Sequence, residues 1–185
     1  MNLRSLSRQA LDAAAVPVAA VSTSDLSAPT PCGSWDLASL LGHMVAHNLG
    51  WAASALGTPV GAAVWDSVEY SDSFAASAAS VSDAFASCTL DRLDVYGYGS
   101  ISLNTALRMH IVDYVIHGWD VAASLGVPYA VDPALVSSAY EIMLGFPDMP
   151  RPNRAFGLKV PVPAAAPALD HLLGYVGRDP GWRAT

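Results

Sequence analysis

The stretch from residue 102 to residue 125 leaves this chain the least freedom. It runs without a proline, Ser102 stands ready to cap its start, and Gly126 with Pro128 closes it, so it reads as one long helix. Ile111, Val112, Val115, Ile116 and Val121 make much of it apolar. Threaded through these residues are His110, Asp113, His117 and Asp120. Spacings of three and four put those four side chains on one stripe, and Asp113 and His117 one above the other. Part of that polar stripe must face the interior, where a carboxylate beside imidazoles is costly unless it is paired or bound to a metal. The fold therefore has to be helical around this segment and has to satisfy its stripe.

The remaining sequence supplies partners for such a helix. Leu3, Leu6, Ala10 and Leu11 recur at helical spacing, so a first helix is expected over 3–21, kinked or ended by Pro17. Residues 22–34, with Pro29, Pro31 and Gly33, form a connector. Asp36 then caps a second helix whose stripe is Leu37, Leu40, Leu41, Met44, Val45 and Leu49, with Gly57 as its stop. Residues 59–70 read as loop, and a third helix is expected over 72–87. Residues 93–99 change period and carry Gly97 and Gly99, which suggests a short extended piece or hairpin. Asp132-Pro133 opens a further helix to about 144. Six prolines between 146 and 167 make that stretch irregular, and a last helix over 168–176 ends at Gly177. The expected class is mainly α: a four-helix bundle over about 1–126 and a C-terminal helical extension over about 127–185, in one domain.

Composition narrows the function. The apolar share is 52% and the charged share 14%, a globular balance. The net charge is -7 and the 9 basic residues are scattered singly, so a nucleic-acid partner is not expected. No apolar run approaches the ~20 residues of a membrane span. The N-terminus lacks a clean signal core and cleavage site, and a cytoplasmic location is expected. Cys32 and Cys88 belong to no CxxC pair; Cys32 reads as a buried thiol, with a nucleophile as the alternative.

Asp113 and His117 offer two metal ligands from one helix face. The third is expected from the second helix, where His43 lies inside Leu40-Leu41-Gly42-His43-Met44-Val45, and His47, one turn on, is the competing residue. Two imidazoles and a carboxylate leave a coordination position open, the pattern of a catalytic rather than a structural ion. Spacing alone also allows plain core histidines satisfied by hydrogen bonds.

The segment 28–37, Ala-Pro-Thr-Pro-Cys-Gly-Ser-Trp-Asp-Leu, followed by Leu40-Leu41-Gly42-His43, resembles the N-terminal metal-binding domain of mycothiol-dependent maleylpyruvate isomerases. So does Asp113-Tyr114-Val115-Ile116-His117-Gly118-Trp119-Asp120-Val121-Ala122, and Leu172-Leu173 with Gly177-Arg178-Asp179-Pro180 is similar to the tail of a short actinobacterial-type branch. The resemblance implies a DinB-like four-helix bundle. It implies one divalent ion, zinc first and nickel or another as alternatives, on His43, Asp113 and His117, where the isomerase itself carries Glu in place of Asp113. It also implies mycothiol as a cosubstrate, with an electrophilic small molecule as the second partner. Asp120 and His47 would stand behind the ligands, with Asp120 orienting His117 or another ligand, or else lying as a plain helix-surface carboxylate. Arg108 and Arg154 are candidates for contacts to the carboxylate or sugar of the thiol cofactor, or plain surface residues.

Two functions follow as expectations. One is a metal-dependent thiol S-transferase or isomerase, acting as a monomer or homodimer. The other is a non-catalytic bundle that binds a metal or a small ligand, with Trp35, Trp51, Trp65, Trp119, Tyr96 and Tyr98 either lining a pocket or serving as plain core. A serine hydrolase fits poorly, because no G-x-S-x-G elbow occurs.

Overall fold

The computed structural model describes residues 2–147 and 156–184. In chain order these form α1 (Leu3–Ala19), a short 3-10 turn (Thr23–Asp25), α2 (Leu37–Ala55), the one-turn α3 (Ala62–Trp65), α4 (Phe74–Ser87), β1 (Arg92–Val95), β2 (Gly99–Ser102), α5 (Leu103–Leu125), α6 (Pro133–Leu144) and α7 (Ala168–Tyr175). The fold class is the expected one: mainly helical, with a small hairpin and a C-terminal helix.

The helix boundaries follow from the caps. Asp36 accepts from the Ser39 N–H at 2.9 Å, the Ser102 hydroxyl accepts from the Thr105 N–H at 3.0 Å, and Asp132 accepts from the Ala134 N–H at 2.8 Å, each satisfying a donor that the helix leaves open. α1 outlasts Pro17 by two residues and stops at Ala19, short of the expected 21. The expected loop over 59–70 contains α3. There the Gly61 carbonyl accepts from Val64 and Trp65, and the turn buries Trp65 edge-on against Trp51 with ring centroids 5.0 Å apart. That gain is tertiary, which is why local periodicity does not announce it.

α1 packs along α5 and α2 along α4, while α4 also meets α1 and α2 meets α5, closing a ring of four helices. The antiparallel hairpin joins α4 to α5 in the register Leu93↔Ile101 and Val95↔Gly99, and it buries Leu93 and Val95 beneath the bundle. α6 and α7 pack on each other, and α6 also covers α5. As a result, every residue of α5 from His110 to Ser124 except Asp113 is buried. Its polar stripe has nowhere to go but inward.

The stripe does not stay together. Steps of three, four and three residues at 3.6 residues per turn fan it across about 80°. His110, fully buried, turns toward α1, where its Nδ1 lies 3.1 Å from the Ser7 hydroxyl. Its ring stacks on Tyr114 at 4.4 Å and meets Phe85 edge-on at 5.2 Å. Burial pushes His110 down to about 3, against the weaker upward pull of Asp113 and with a small downward contribution from His47. The unfolded chain binds its proton near pH 6.5 and the folded chain refuses it until about 3. Stability from this residue is therefore complete above pH 6.5 and falls between 6.5 and 3, by about 1.4 kcal/mol per pH unit. Urea unfolding at pH 7 and pH 4.5 should show the wild type losing about 2–3 kcal/mol more than His110→Asn over that interval. Equal losses in the two proteins would contradict this assignment.

Candidate metal centre

α2 and α5 each present two residues one turn apart to the same space. From α2 come His43 and His47, with ring centroids 3.8 Å apart, and from α5 come Asp113 and His117. His117 Nε2 lies 3.4 Å from Asp113 Oδ1. His47 donates through Nδ1 to the other carboxylate oxygen, Asp113 Oδ2, at 3.2 Å. The His43 ring stands edge-on to His117 with centroids 5.1 Å apart. One ligand atom each from His43, Asp113 and His117 falls within 4.8 Å of the others. His47 instead sits behind Asp113 and fixes the carboxylate, the place of an outer partner rather than a third imidazole ligand.

The approach of these elements depends on small residues. The Val68–Glu69 backbone lies directly on Gly42, where a Cβ would stand 2.6 Å from two carbonyl carbons. No side chain fits there, and the loop can therefore descend beside His43. Trp35 packs on His43 at 4.7 Å and Trp65 meets His47 edge-on at 5.1 Å. Trp51 lies behind Trp65 in the core, Trp119 belongs to a small cluster with Ala123 and Leu173, and Tyr96 and Tyr98 are exposed at the hairpin.

Electrostatics divide the cluster into a neutral and a charged part. Burial pushes His43 down to about 2, with His47 and His117 adding to the fall, so at neutral pH it is an uncharged imidazole. Burial would raise Asp113, but the charge and hydrogen bond of His117 and those of His47 hold it well below the usual carboxylate range. Burial likewise opposes the charge on His117, and Asp113 and Asp120 overcome it and raise that imidazole well above its ordinary value. A positive charge is thus stabilised between His117 and Asp113, where a cation would sit. Neutral imidazole, carboxylate and an exchangeable imidazolium proton suit a borderline divalent ion such as zinc.

A second group adjoins the first on the far side of the His117 ring. His117 Nδ1 donates to Asp120 Oδ2 at 2.9 Å, and the Cys32 thiol donates to the same oxygen at 3.0 Å. Arg178 reaches in from beyond α7, donating through Nε to Asp120 Oδ1 at 3.4 Å and through a terminal nitrogen to Oδ2 at 3.2 Å and to the Cys32 sulfur at 3.4 Å. Asp120 has 0% exposure. Burial favours its neutral form, but Arg178 and His117 prevail and keep it ionised. Burial and the neighbouring Asp120 charge raise the Cys32 thiol.

The residues anticipated from sequence therefore separate. His43, His47, Asp113, His117 and Asp120 form one continuous network. Arg108 is exposed elsewhere, in a depression lined by Asn2, Leu3, Arg4 and Asn104, and Arg154 lies outside the described residues. Sequence reasoning did not find Arg178, which is 58 positions from its partner, nor the use of Cys32, which is 88 away. The signs available were the tail segment Gly177-Arg178-Asp179-Pro180, in which the resemblance gives the arginine no role, and Gly177 itself, whose helix-ending turn fixes where residue 178 begins.

The family model described as the mycothiol maleylpyruvate isomerase N-terminal domain matches residues 7–122. Two proteins of Mycobacterium tuberculosis, one from strain CDC 1551 / Oshkosh and one from strain H37Rv, both named only as uncharacterized, are each 30% identical over 182 residues, covering 92% of this chain and 94% of their own. No solved structure matches the chain.

The Asp120–Arg178 pair is open to a stability test. Removing one member of a buried ion pair leaves the other charge uncompensated, at a cost of about 3–5 kcal/mol. Asp120→Ala should lose that much in urea unfolding at pH 7, whereas a loss below about 1 kcal/mol, the scale of a surface pair, would show that the pair is not the buried anchor described.

Proposed function

The chain belongs to the mycothiol maleylpyruvate isomerase N-terminal domain family, and on that premise we propose that it binds one divalent cation, zinc first and nickel or another as alternatives, on His43, Asp113 and His117, and uses it in thiol chemistry. The observation that carries this reading is the meeting of those three donors from two helices within 4.8 Å. Such an ion lowers the pKa of a bound thiol, so that the nucleophilic thiolate forms near neutral pH.

The residues divide the remaining work. His43 is held neutral, so it can donate a lone pair. His47 steadies Asp113 through its Oδ2, and Asp120 holds the His117 ring from its Nδ1 side. Trp35 and Trp65 flank the histidines and restrict water at that edge. Asp113 retains 29% side-chain exposure, against 0% for Asp120, so a small molecule would enter from the Asp113 side. The cosubstrate class is a low-molecular-weight thiol of the mycothiol type and the second substrate is an electrophile. The reaction class is S-transfer or thiol-dependent isomerisation. Cytoplasm suits it, since thiols there stay reduced. No described helix is long and apolar enough to cross a membrane.

Elemental analysis of protein purified without added metal should find about one ion per chain, matching a single three-ligand site, and a large loss in His117→Ala. Incubation with mycothiol and monochlorobimane should give conjugation that a chelator abolishes. Stoichiometric metal with no turnover across thiols would favour the non-catalytic bundle, and equal metal in both proteins would remove His117 from the site.

A further inference from the structure

Arg178 lies outside the segment the family model covers, yet it touches the network behind His117. Its placement is built rather than incidental. α7 ends at Tyr175 with Val176 as its C-cap, and Gly177 adopts a left-handed φ of 87°. The Gly177 N–H donates to the Gly174 carbonyl at 3.2 Å and the Arg178 N–H to the Leu173 carbonyl at 2.9 Å, the paired bonds of a Schellman cap. Gly177 also lies on the backbone of Gly157, where a Cβ would come within 2.6 Å of the Gly157 Cα. The helix itself is pinned to α5 by a small cluster of its own, Trp119, Ala123 and Leu173, with Tyr129, Leu169 and Trp182 against it. Cap, glycine contact and cluster together bring one guanidinium to the face of α5 that carries Asp120.

Cys32, His117 and Asp120 form a second set of three donors close enough for an ion. The guanidinium already contacts two of them, Asp120 and Cys32, so the positive charge this set requires is supplied from within the chain. Arg178 addresses both carboxylate oxygens, Nε toward Oδ1 and a terminal nitrogen toward Oδ2. A planar fork on both oxygens fixes the carboxylate plane as a single donor cannot. The oxygen so fixed, Oδ2, is the one that accepts from His117 Nδ1, and the opposite ring nitrogen, Nε2, faces Asp113.

We propose that Arg178 is a positioning residue of the metal centre, acting through Asp120 to aim His117, so that the C-terminal tail completes a site whose ligands all come from the bundle. This rests on the metal-binding reading above. Outer partners of this kind are worth about 10–100-fold in metal affinity.

The test uses the full chain, stripped of metal and titrated with Co2+ against a chromophoric chelator at 25 °C, where circular dichroism shows each variant folded. Arg178→Gln should bind Co2+ about 10–100-fold more weakly than wild type. Arg178→Lys keeps the cation without the fork and should fall between the two. In an Asp120→Asn background, adding Arg178→Gln should change affinity by less than about 2-fold, because coupled residues are non-additive. A tail needed only for folding would lower thermal stability and leave these affinities alone. Wild-type affinity in Arg178→Gln overturns the proposal while leaving the metal centre intact. If Arg178→Gln does not fold, wild-type affinity in Arg178→Lys overturns it instead. Failure of the wild type to bind Co2+ at all overturns the metal-binding reading itself.

Discussion

α5 is a helix with almost no outside, and it carries two carboxylates. A carboxylate buried without a partner costs several kcal/mol even after relaxation, so the elements that close over α5 also have to supply opposite charge and donors. They do so along one line of contacts: Arg178, Asp120, His117, Asp113, His47. The helix ring alone provides the last three. The first contact comes from the C-terminal tail, and a thiol donor comes from the connector before α2. The connector is itself bonded into shape: the buried Thr30 hydroxyl donates to the Trp35 carbonyl at 2.8 Å and accepts from the Cys32 N–H at 3.1 Å. Its shape matters because it delivers both Cys32 and Trp35 to the network.

Along that line burial is graded, and the gradient has chemical meaning. Asp120 is sealed and its oxygens are fully committed, while Asp113 keeps part of its surface. A committed carboxylate can orient an imidazole but cannot exchange its partners. A partly exposed one, with one oxygen held by His47 and the other facing His117, is still open to a partner from outside. Two chemically identical side chains are thereby given different environments by their surroundings alone.

Local chemistry is what the sequence makes legible. The caps at Asp36, Ser102 and Asp132, the stops at Gly57, Gly126 and Gly177, and the one-turn spacing of Asp113 and His117 all depend on neighbours within a turn or two, and the structure has each in place. Sequence ranks His43 ahead of His47 only on its more apolar neighbours, since both lie on one face of α2; what separates them in the structure is the hydrogen bond His47 makes to a residue 66 positions away. His110 belonged to the right stripe but left it, because the drift of the helix turns it toward Ser7 on α1, a partner 103 positions distant. Arg178 is the extreme case. One arginine in a polar tail has no periodicity to betray it, and its role exists only once α7 has docked on α5.

Cys32 shows how closely the two halves of the network are tied. Its sulfur is 3.9 Å from His117 Nδ1, so it lies on the side of the ring that turns away from Asp113. There it donates a hydrogen bond to Asp120 and accepts one from Arg178. A thiolate is ordinarily a strong ligand for a borderline divalent ion. Engaged as a hydrogen-bond donor behind the imidazole, Cys32 is held as a thiol on the far side of the ring from Asp113. The same carboxylate that accepts from His117 thus also holds the protein's own sulfur, and Arg178, two residues past the C-cap of α7, bonds both of its oxygens.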